Sequence, residues 1–127
     1  MGAKAYLLTW TTYGTWLPGD SRGWVDRHRT HGEVVEPPDP KREEIARRAM
    51  TGEPVTLDQE LRGIAKSAML KTAAYRGWIV HCAEVRSNHV HVVVTATDEK
   101  PGEVMRLLKA YASRALNAAA HTEGARW

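Results

Sequence analysis

The segment that most constrains the fold is residues 89–96, His-Val-His-Val-Val-Val-Thr-Ala, an apolar run interrupted by two histidines. β-Branched side chains dominate the run, and such side chains favour extended backbone. A strand that is apolar at nearly every position is usually buried between neighbouring strands, so the sequence predicts a central strand. Residues two apart in a strand point to the same face, so we expect His89 and His91 on one face and Val90 on the other.

Two further strands and a helix are predicted around this segment. Residues 4–12 and 78–86 are rich in the aromatic and β-branched side chains typical of strands. Thr56 and Gln59 have the spacing of a capping box, which predicts the start of a helix there. Gly77 is a natural end for that helix.

A second long helix is predicted over 101–120, because a proline opens the segment and apolar residues follow at helical spacing. The apolar stripes predicted for the two long helices include Tyr75 and Tyr111. Residues 26–54 are polar and predict a long excursion over the surface, with a short helix over 41–50.

The order of these elements is strand, long loop, helix, strand, strand, helix. This β-α-β-β-α order matches five elements of the ferredoxin-like β-α-β-β-α-β unit and predicts an α+β fold with a central antiparallel sheet. A chain of 127 residues suits one domain. We therefore expect residues 1–127 to form a single domain that is truncated at its C-terminal end, where the sixth element is missing.

Charge, cysteine content and hydropathy limit the possible partners and the cellular location of the protein. Lys and Arg exceed Asp and Glu by 18 to 15, and the pI is about 9.2, which permits a polyanionic partner without requiring one. The single Cys82 excludes an internal disulfide, and its apolar surroundings predict a buried, unreactive thiol. No apolar run approaches the ~20 residues that span a bilayer, and no signal peptide is recognisable, so we expect a cytoplasmic protein without a membrane partner.

His89 and His91 are the candidate metal ligands. Their Cα atoms are expected to lie roughly 6.5–7 Å apart, so the two imidazoles can converge on one divalent ion. The alternative is a pair of core histidines bonded to backbone. His81 on the preceding strand is a conceivable further ligand, although a structural role is expected, and His28 and His31 are expected to be solvated.

Three segments of the chain resemble the IS200/IS605-like single-tyrosine HUH transposases, and among these the REP-associated tyrosine transposases. The run at 87–94, Ser-Asn-His-Val-His-Val-Val-Val, resembles the HUH signature. Residues 8–20 resemble the opening of REP-associated members, and residues 107–117 resemble the lysine-containing helix that follows the HUH strand. The three segments occur in the order found in the family.

The resemblance implies a DNA transposase that cleaves and rejoins single-stranded DNA. In the family, two histidines and a further polar ligand hold Mg²⁺ or Mn²⁺, which acts as a Lewis acid on the scissile phosphate. A tyrosine attacks the phosphorus, forms a 5′-phosphotyrosine and leaves a free 3′-hydroxyl, which conserves the bond for rejoining. The implied partners are single-stranded or hairpin DNA and a second copy of the chain, with the sheets of the two subunits joined.

The resemblance makes His89 and His91 the metal ligands. Tyr111 is the only tyrosine downstream of them. The nucleophile of the family lies on a later helix, often with a metal-binding Gln one turn further on. We therefore expect the nucleophile to lie beyond residue 127 rather than at Tyr111, and we expect the 127-residue chain to be catalytically deficient.

Four basic residues beside or after the histidines are candidate DNA contacts. They are Arg86, Arg106, Lys109 and Arg114. Because a charged helical face is usually just solvated, this assignment rests mainly on the resemblance. Trp10, Trp16 and Trp24 are candidates for stacking on unpaired bases, with core packing at least as expected for Trp10.

Three alternatives remain open. One is a nicking endonuclease with the same HUH chemistry, and another is a non-catalytic protein that binds hairpin or single-stranded DNA. The third is a ferredoxin-like small-molecule-binding domain with two core histidines. Metal binding separates the third from the others, and cleavage of a single-stranded oligonucleotide separates a transposase from a binding protein.

Overall fold

The computed structural model describes residues 5–15, 17, 21–22, 36–50, 54–122, 124 and 126–127. The chain divides into two compact units, one formed by Met1–Thr12 with Val55–Trp127 and the other by Tyr13–Pro54. The strands and helices, in chain order, are β1 (Ala5–Thr11), α1 (Pro40–Ala49), α2 (Gln59–Arg76), β2 (Ile79–Val85), β3 (His89–Thr95) and α3 (Pro101–Ala120). No helix in the described ranges has both the length and the apolar character needed to cross a membrane.

The three strands form one antiparallel sheet in the order β1-β3-β2. The central strand is β3, as its apolar sequence predicts. The backbone N–H of Arg86 donates to the carbonyl of His89 at 2.8 Å, which closes the three-residue connection between β2 and β3. The predicted α+β class is confirmed, and the sheet order is consistent with a ferredoxin-like arrangement.

One face of the sheet is covered by helices. On β3 this face carries Val90, Val92 and Val94, each at most 1% exposed. Helix α2 packs against both α3 and β2, and α3 also contacts β1, so the two helices form one layer over the valines. Leu108 and Leu116 of α3 are buried in that layer. We call this side of the sheet the covered face.

The opposite face of the sheet, which we call the open face, has neither α2 nor α3 over it. On β3 it carries His89, His91 and Val93, all half-buried. On the outer strands it carries Leu7 and Ile79, which are 70% and 59% exposed. Because side chains alternate along β3, one face of the sheet is buried and apolar. The other face is partly exposed and carries both polar and apolar side chains.

Helix α2 begins later than the sequence predicts. Its N-cap is Asp58, whose carboxylate accepts a hydrogen bond from the backbone N–H of Leu61 at 2.8 Å. The predicted capping box of Thr56 and Gln59 is therefore wrong. The N–H of Leu57 donates to the carbonyl of Ser87 at 2.7 Å, and this bond holds the preceding residues extended beside the β2–β3 connection.

The end of α2 agrees with the sequence, but its buried stripe differs. Gly77 adopts a left-handed conformation with φ of 76°, which is the expected helix end. Tyr75, predicted on the apolar stripe, is 90% exposed. The residues that α2 buries are Ala65, Met69, Thr72 and Ala73. Three of these four side chains are small, and they lie where α2 packs against α3 and β2.

Helix α1, in the second unit, confirms the short helix predicted over 41–50. The Asp39 carboxylate caps it by accepting from the backbone N–H of Arg42 at 3.1 Å. Glu43 and Arg47 form an ion pair at 2.7 Å at the (i, i+4) spacing that supports an isolated helix. None of its residues is buried.

Candidate functional site

The two candidate ligands, His89 and His91, lie side by side on the open face. Their ring centroids are 4.9 Å apart, and the ring planes meet at 77°. Both side chains are half-buried, so water and solutes can reach them. The expectation that the pair shares one face agrees with the structure, and neither ring lies in the apolar core.

Each imidazole is held at its Nδ1 atom by an oxygen. The Nδ1 of His89 lies 2.9 Å from the Oδ1 of Asn88, and the Nδ1 of His91 lies 3.1 Å from the hydroxyl of Thr9 on β1. An amide oxygen only accepts, so the neutral imidazole of His89 donates from Nδ1 to Asn88 and keeps a lone pair on Nε2. The Thr9 hydroxyl accepts equally well. No described residue forms a hydrogen bond with either Nε2.

This arrangement fits the requirements of a divalent ion. Metal-ligating histidines usually donate the N–H of the second ring nitrogen to an oxygen, which orients the ring. The ring centroids are 4.9 Å apart, a separation that is also usual for two rings packed edge-to-face. Within the described ranges, however, no group of three or more His, Cys, Asp or Glu residues could hold a metal. Among the described residues, the pair therefore supplies two candidate ligands and no third one of these types.

Glu84 is the residue of this region that sequence reasoning missed. It is the β2 partner of His91 in the sheet register, so its side chain points to the open face. Its carboxylate pairs with Arg86, a predicted DNA contact located beside the β2–β3 connection. Only the register between strands reveals this placement, and the register of β2 shifts at an irregularity between Val80 and Cys82.

The same irregularity changes the environment of two other side chains. Cys82, predicted to be buried, is exposed because the shift aligns it with Val93 on the open face. His81 is hydrogen-bonded through Nε2 to the hydroxyl of Thr95 at 2.6 Å. Thr95 lies at the end of β3 away from the histidine pair. The structural role expected for His81 therefore agrees with its position.

Tyr111 lies on α3, in the layer over the covered face, so the sheet separates it from the histidine pair. It is 41% exposed, and the Arg114 guanidinium lies 5.0 Å from its ring centroid. The interpretation of Tyr111 as a core residue is wrong, because α3 turns the adjacent Ala112 inward instead. Tyr6 is also remote from the pair, and its hydroxyl donates to the carbonyl of Glu99 at 2.9 Å.

The predicted DNA contacts divide between the two sides of the sheet. Arg86 lies near the histidines, whereas Arg106, Lys109 and Arg114 lie on α3. A two-pronged hydrogen bond joins Arg106 to Glu103, at 2.6 and 2.9 Å. This bond raises the pKa of the Arg106 guanidinium and lowers the pKa of the Glu103 carboxyl.

The predicted stacking tryptophans have different outcomes. Trp10 is 6% exposed and packs edge-to-face on Trp127 with ring centroids 5.9 Å apart, so it is a core residue and not a stacking platform. Trp16 and Trp24 lie outside the described residues, as do His28 and His31.

Comparison with known proteins adds one fold relationship. No protein-family model matches the sequence, and no curated protein matches it. A solved structure described as a “putative transposase” from Deinococcus radiodurans R1 superposes with a TM-score of 0.60 at 18% identity. The similarity covers 100% of this chain and 74% of that one. At this identity it shows a shared α+β fold.

Proposed function

We propose that this chain is a DNA transposase that acts on single-stranded DNA, with Mg²⁺ or Mn²⁺ held by His89 and His91. The observation that carries the proposal is the pair of imidazoles on an open sheet face, each held at Nδ1 and each presenting Nε2. The fold shared with a protein described as a transposase supports the same class, and so does the resemblance of residues 87–94 to the HUH signature.

The residues of this chain have distinct tasks in the proposed site. A bound ion supplies Lewis acidity toward a phosphate oxygen. His89 and His91 bind the ion, while Asn88 and Thr9 orient their rings. Arg86 lies beside the pair and is ion-paired with Glu84, so a DNA phosphate would have to compete with that carboxylate for the guanidinium.

The proposed reaction exchanges phosphodiester bonds through a 5′-phosphotyrosine, with a 3′-hydroxyl as the leaving group. Tyr6 lies on the covered face of β1, opposite Val94, and Tyr75 and Tyr111 lie on the helices over that face. We therefore assign the role of nucleophile to none of these three tyrosines.

The experiment uses the metal and a hairpin oligonucleotide with a single-stranded flank. Mn²⁺ should bind weakly, because two imidazoles supply only part of its ligands, and it should broaden the imidazole proton resonances of His89 and His91. His89→Ala or His91→Ala should abolish this binding. The matched control is His81→Ala, which removes another exposed imidazole from the open face. Equal Mn²⁺ binding by the wild type and both histidine variants would contradict the proposal.

The covalent step is tested by incubating the protein and the oligonucleotide with Mn²⁺. A covalent protein–DNA adduct is then detected on a denaturing gel. The 127-residue chain is expected to form little adduct, because none of the three tyrosines above lies beside the histidine pair. Any adduct that does form should be lost in His91→Ala and retained in Tyr111→Phe. If Tyr111→Phe abolishes the adduct without unfolding the protein, Tyr111 is the nucleophile and our assignment is wrong.

A second candidate function is binding of hairpin or single-stranded DNA without cleavage. The position of Tyr111 favours this non-catalytic function. Tyr111 lies on the far side of the sheet, where its hydroxyl cannot act as the nucleophile at the histidine pair. Both candidates predict tighter binding of single-stranded or hairpin DNA than of duplex, with a steep salt dependence. Binding without any adduct in Mn²⁺ would select the second candidate.

We also propose that the chain forms a homodimer through its sheet. Leu7 and Ile79 leave large apolar side chains exposed on the two outer strands, where a second copy could bury them. Light scattering at roughly tens of micromolar should report a dimer, and Leu7→Glu should shift it toward the monomer. A monomeric wild type under these conditions contradicts this proposal.

A further inference from the structure

A groove of about 410 Å³ lies along α3 and the C-terminal residues, in the helical layer rather than on the open face. Met105, Ala110 and Trp127 supply much of its apolar lining, and Lys109 and Ser113 supply polar groups. Nothing in the proposed chemistry of the histidine pair uses this groove. Its volume falls within the range of ligand sites, roughly 300–1,000 Å³.

The aromatic wall of the groove is held in place. The indole Nε1 of Trp127 donates to the backbone carbonyl of Lys109 at 2.8 Å. The ring also packs edge-to-face against the buried Trp10. Trp127 nevertheless stays half-exposed. A fixed and accessible aromatic surface loses little conformational freedom when a ligand stacks on it.

The charge of the groove is positive, and one cation in particular is available. Arg106 also lines the groove, but it already pairs with Glu103. The Lys109 ammonium forms no hydrogen bond or ion pair with any residue in the described ranges, and only its backbone carbonyl is engaged, by Trp127. Ser113 lies one helical turn further along and adds a hydroxyl on the same side.

We propose that this groove binds one unpaired nucleotide of a DNA strand, with the phosphate at Lys109 and Ser113 and the base against Trp127. A groove lined by apolar side chains, by the Lys109 ammonium and by a fixed indole suits a ligand that joins a flat π-surface to an anion. Arg106 and Arg126 also line the groove and add to its positive charge. The groove adds a second contact for the single-stranded DNA of the proposed function, and it rests on that function for the identity of the strand.

The first test measures how much the positive charge of Lys109 contributes to DNA affinity. Binding of a fluorescently labelled thymidine 12-mer is measured by anisotropy in EDTA, so that no metal occupies the histidine pair. Lys109→Met should weaken binding on the order of tenfold and reduce the salt slope by about 1. Lys71→Met removes the same charge from a second groove of about 480 Å³ lined by α2 and α3, and it should change affinity by less than about twofold.

The second test isolates the base. An abasic 12-mer with the same number of phosphates should bind the wild type roughly fivefold or more weakly than the thymidine 12-mer. Trp127→Leu, which keeps apolar bulk, should lower the affinity for the thymidine strand to that of the abasic strand. Free thymidine monophosphate should compete with the strand, whereas inorganic phosphate at the same concentration should not.

The outcomes separate this proposal from the transposase proposal. An equal loss of DNA affinity in Lys109→Met and Lys71→Met would contradict the proposed nucleotide site. Equal wild-type affinity for the abasic and thymidine strands would also contradict it. Neither result bears on the transposase proposal. The comparison of the abasic and thymidine oligonucleotides uses only the wild-type protein. It therefore tests base recognition even if Trp127→Leu fails to fold. Groove-dependent DNA binding without Mn²⁺ binding at His89 and His91 leaves the nucleotide site intact and overturns the metal-assisted transposase proposal.

Discussion

The two faces of the sheet differ although they are built from alternate residues of the same strands. On β3, Val90, Val92 and Val94 are at most 1% exposed beneath the helices. Their neighbours His89 and His91 are half-buried on the other side, with each Nδ1 bonded to an oxygen. One strand thus supplies apolar burial to the fold and ordered polar groups to the candidate site.

The difference shows how a small domain can hold a polar site close to its core. Because a strand alternates its side chains, two imidazoles can be set rigidly by a central strand without entering the apolar layer. Substitutions on the covered face should lower the stability of the fold, whereas substitutions on the open face should weaken ligand binding.

The largest effect is expected for adjacent leucines on β1. Leu8, which is 5% exposed, points to the covered face, and Leu7, which is 70% exposed, points to the open face. Leu8→Ala should lower the free energy of unfolding by about 2–5 kcal/mol, whereas Leu7→Ala should change it by about 0.5 kcal/mol or less. Urea unfolding at a protein concentration where both variants have the same oligomeric state measures the difference, and similar losses would contradict the two-face description.

The next effect concerns the residues that orient the histidines. Thr9→Val keeps the side-chain shape but removes the hydroxyl at the Nδ1 of His91, and Asn88→Ala removes the oxygen at the Nδ1 of His89. Either change should weaken Mn²⁺ binding by about 10- to 100-fold.

The ring tautomers supply a second readout, measured by ¹⁵N chemical shifts. The wild type should hold the hydrogen of His89 on Nδ1, and Asn88→Ala should release it. Thr95→Val is the control, because it removes the hydroxyl bonded to His81 and should leave Mn²⁺ affinity unchanged. Unchanged affinity in Thr9→Val and Asn88→Ala would show that the Nδ1 contacts do not support metal binding.

A smaller effect is expected at the start of α2, which helps to seal the covered face. Asp58→Ala removes the N-cap carboxylate and should cost about 1 kcal/mol. Thr56→Ala, at the position of the capping box predicted from sequence, should cost less than about 0.5 kcal/mol. A larger loss in Thr56→Ala than in Asp58→Ala, measured by thermal or urea unfolding, would restore the sequence-based assignment.

The smallest effect is expected at the exposed pair of Glu103 and Arg106. The bond from Arg106 lowers the pKa of Glu103, so the pair contributes stability above the ordinary carboxyl pKa and loses it as the pH falls through the lowered value. Glu103→Gln should lower the unfolding midpoint slightly at neutral pH and leave it unchanged in strong acid. Glu60→Gln, in the first turn of α2, is the matched control, and an equal pH-dependent loss there would assign the effect to the helix end rather than to Arg106.

The elements of the fold could be predicted from sequence because their signals are local. The apolar alternation of β3 predicts a central strand, and the helix predicted over 101–120 has the bounds of α3. Burial within the helices was predicted less well, since an apolar periodicity leaves the exact buried stripe open. Tyr75 and Tyr111 therefore point outward while smaller neighbours fill the interface.

The sequence by itself determined that His89 and His91 share a strand face, because two-residue spacing on a strand requires it. Only the tertiary structure decided what surrounds them. Thr9, 82 residues away from His91, reaches its Nδ1 through the β1–β3 register. The irregularity in β2 turns Cys82 outward. Register and irregularities depend on pairing between distant segments, and that pairing forms only when the chain folds.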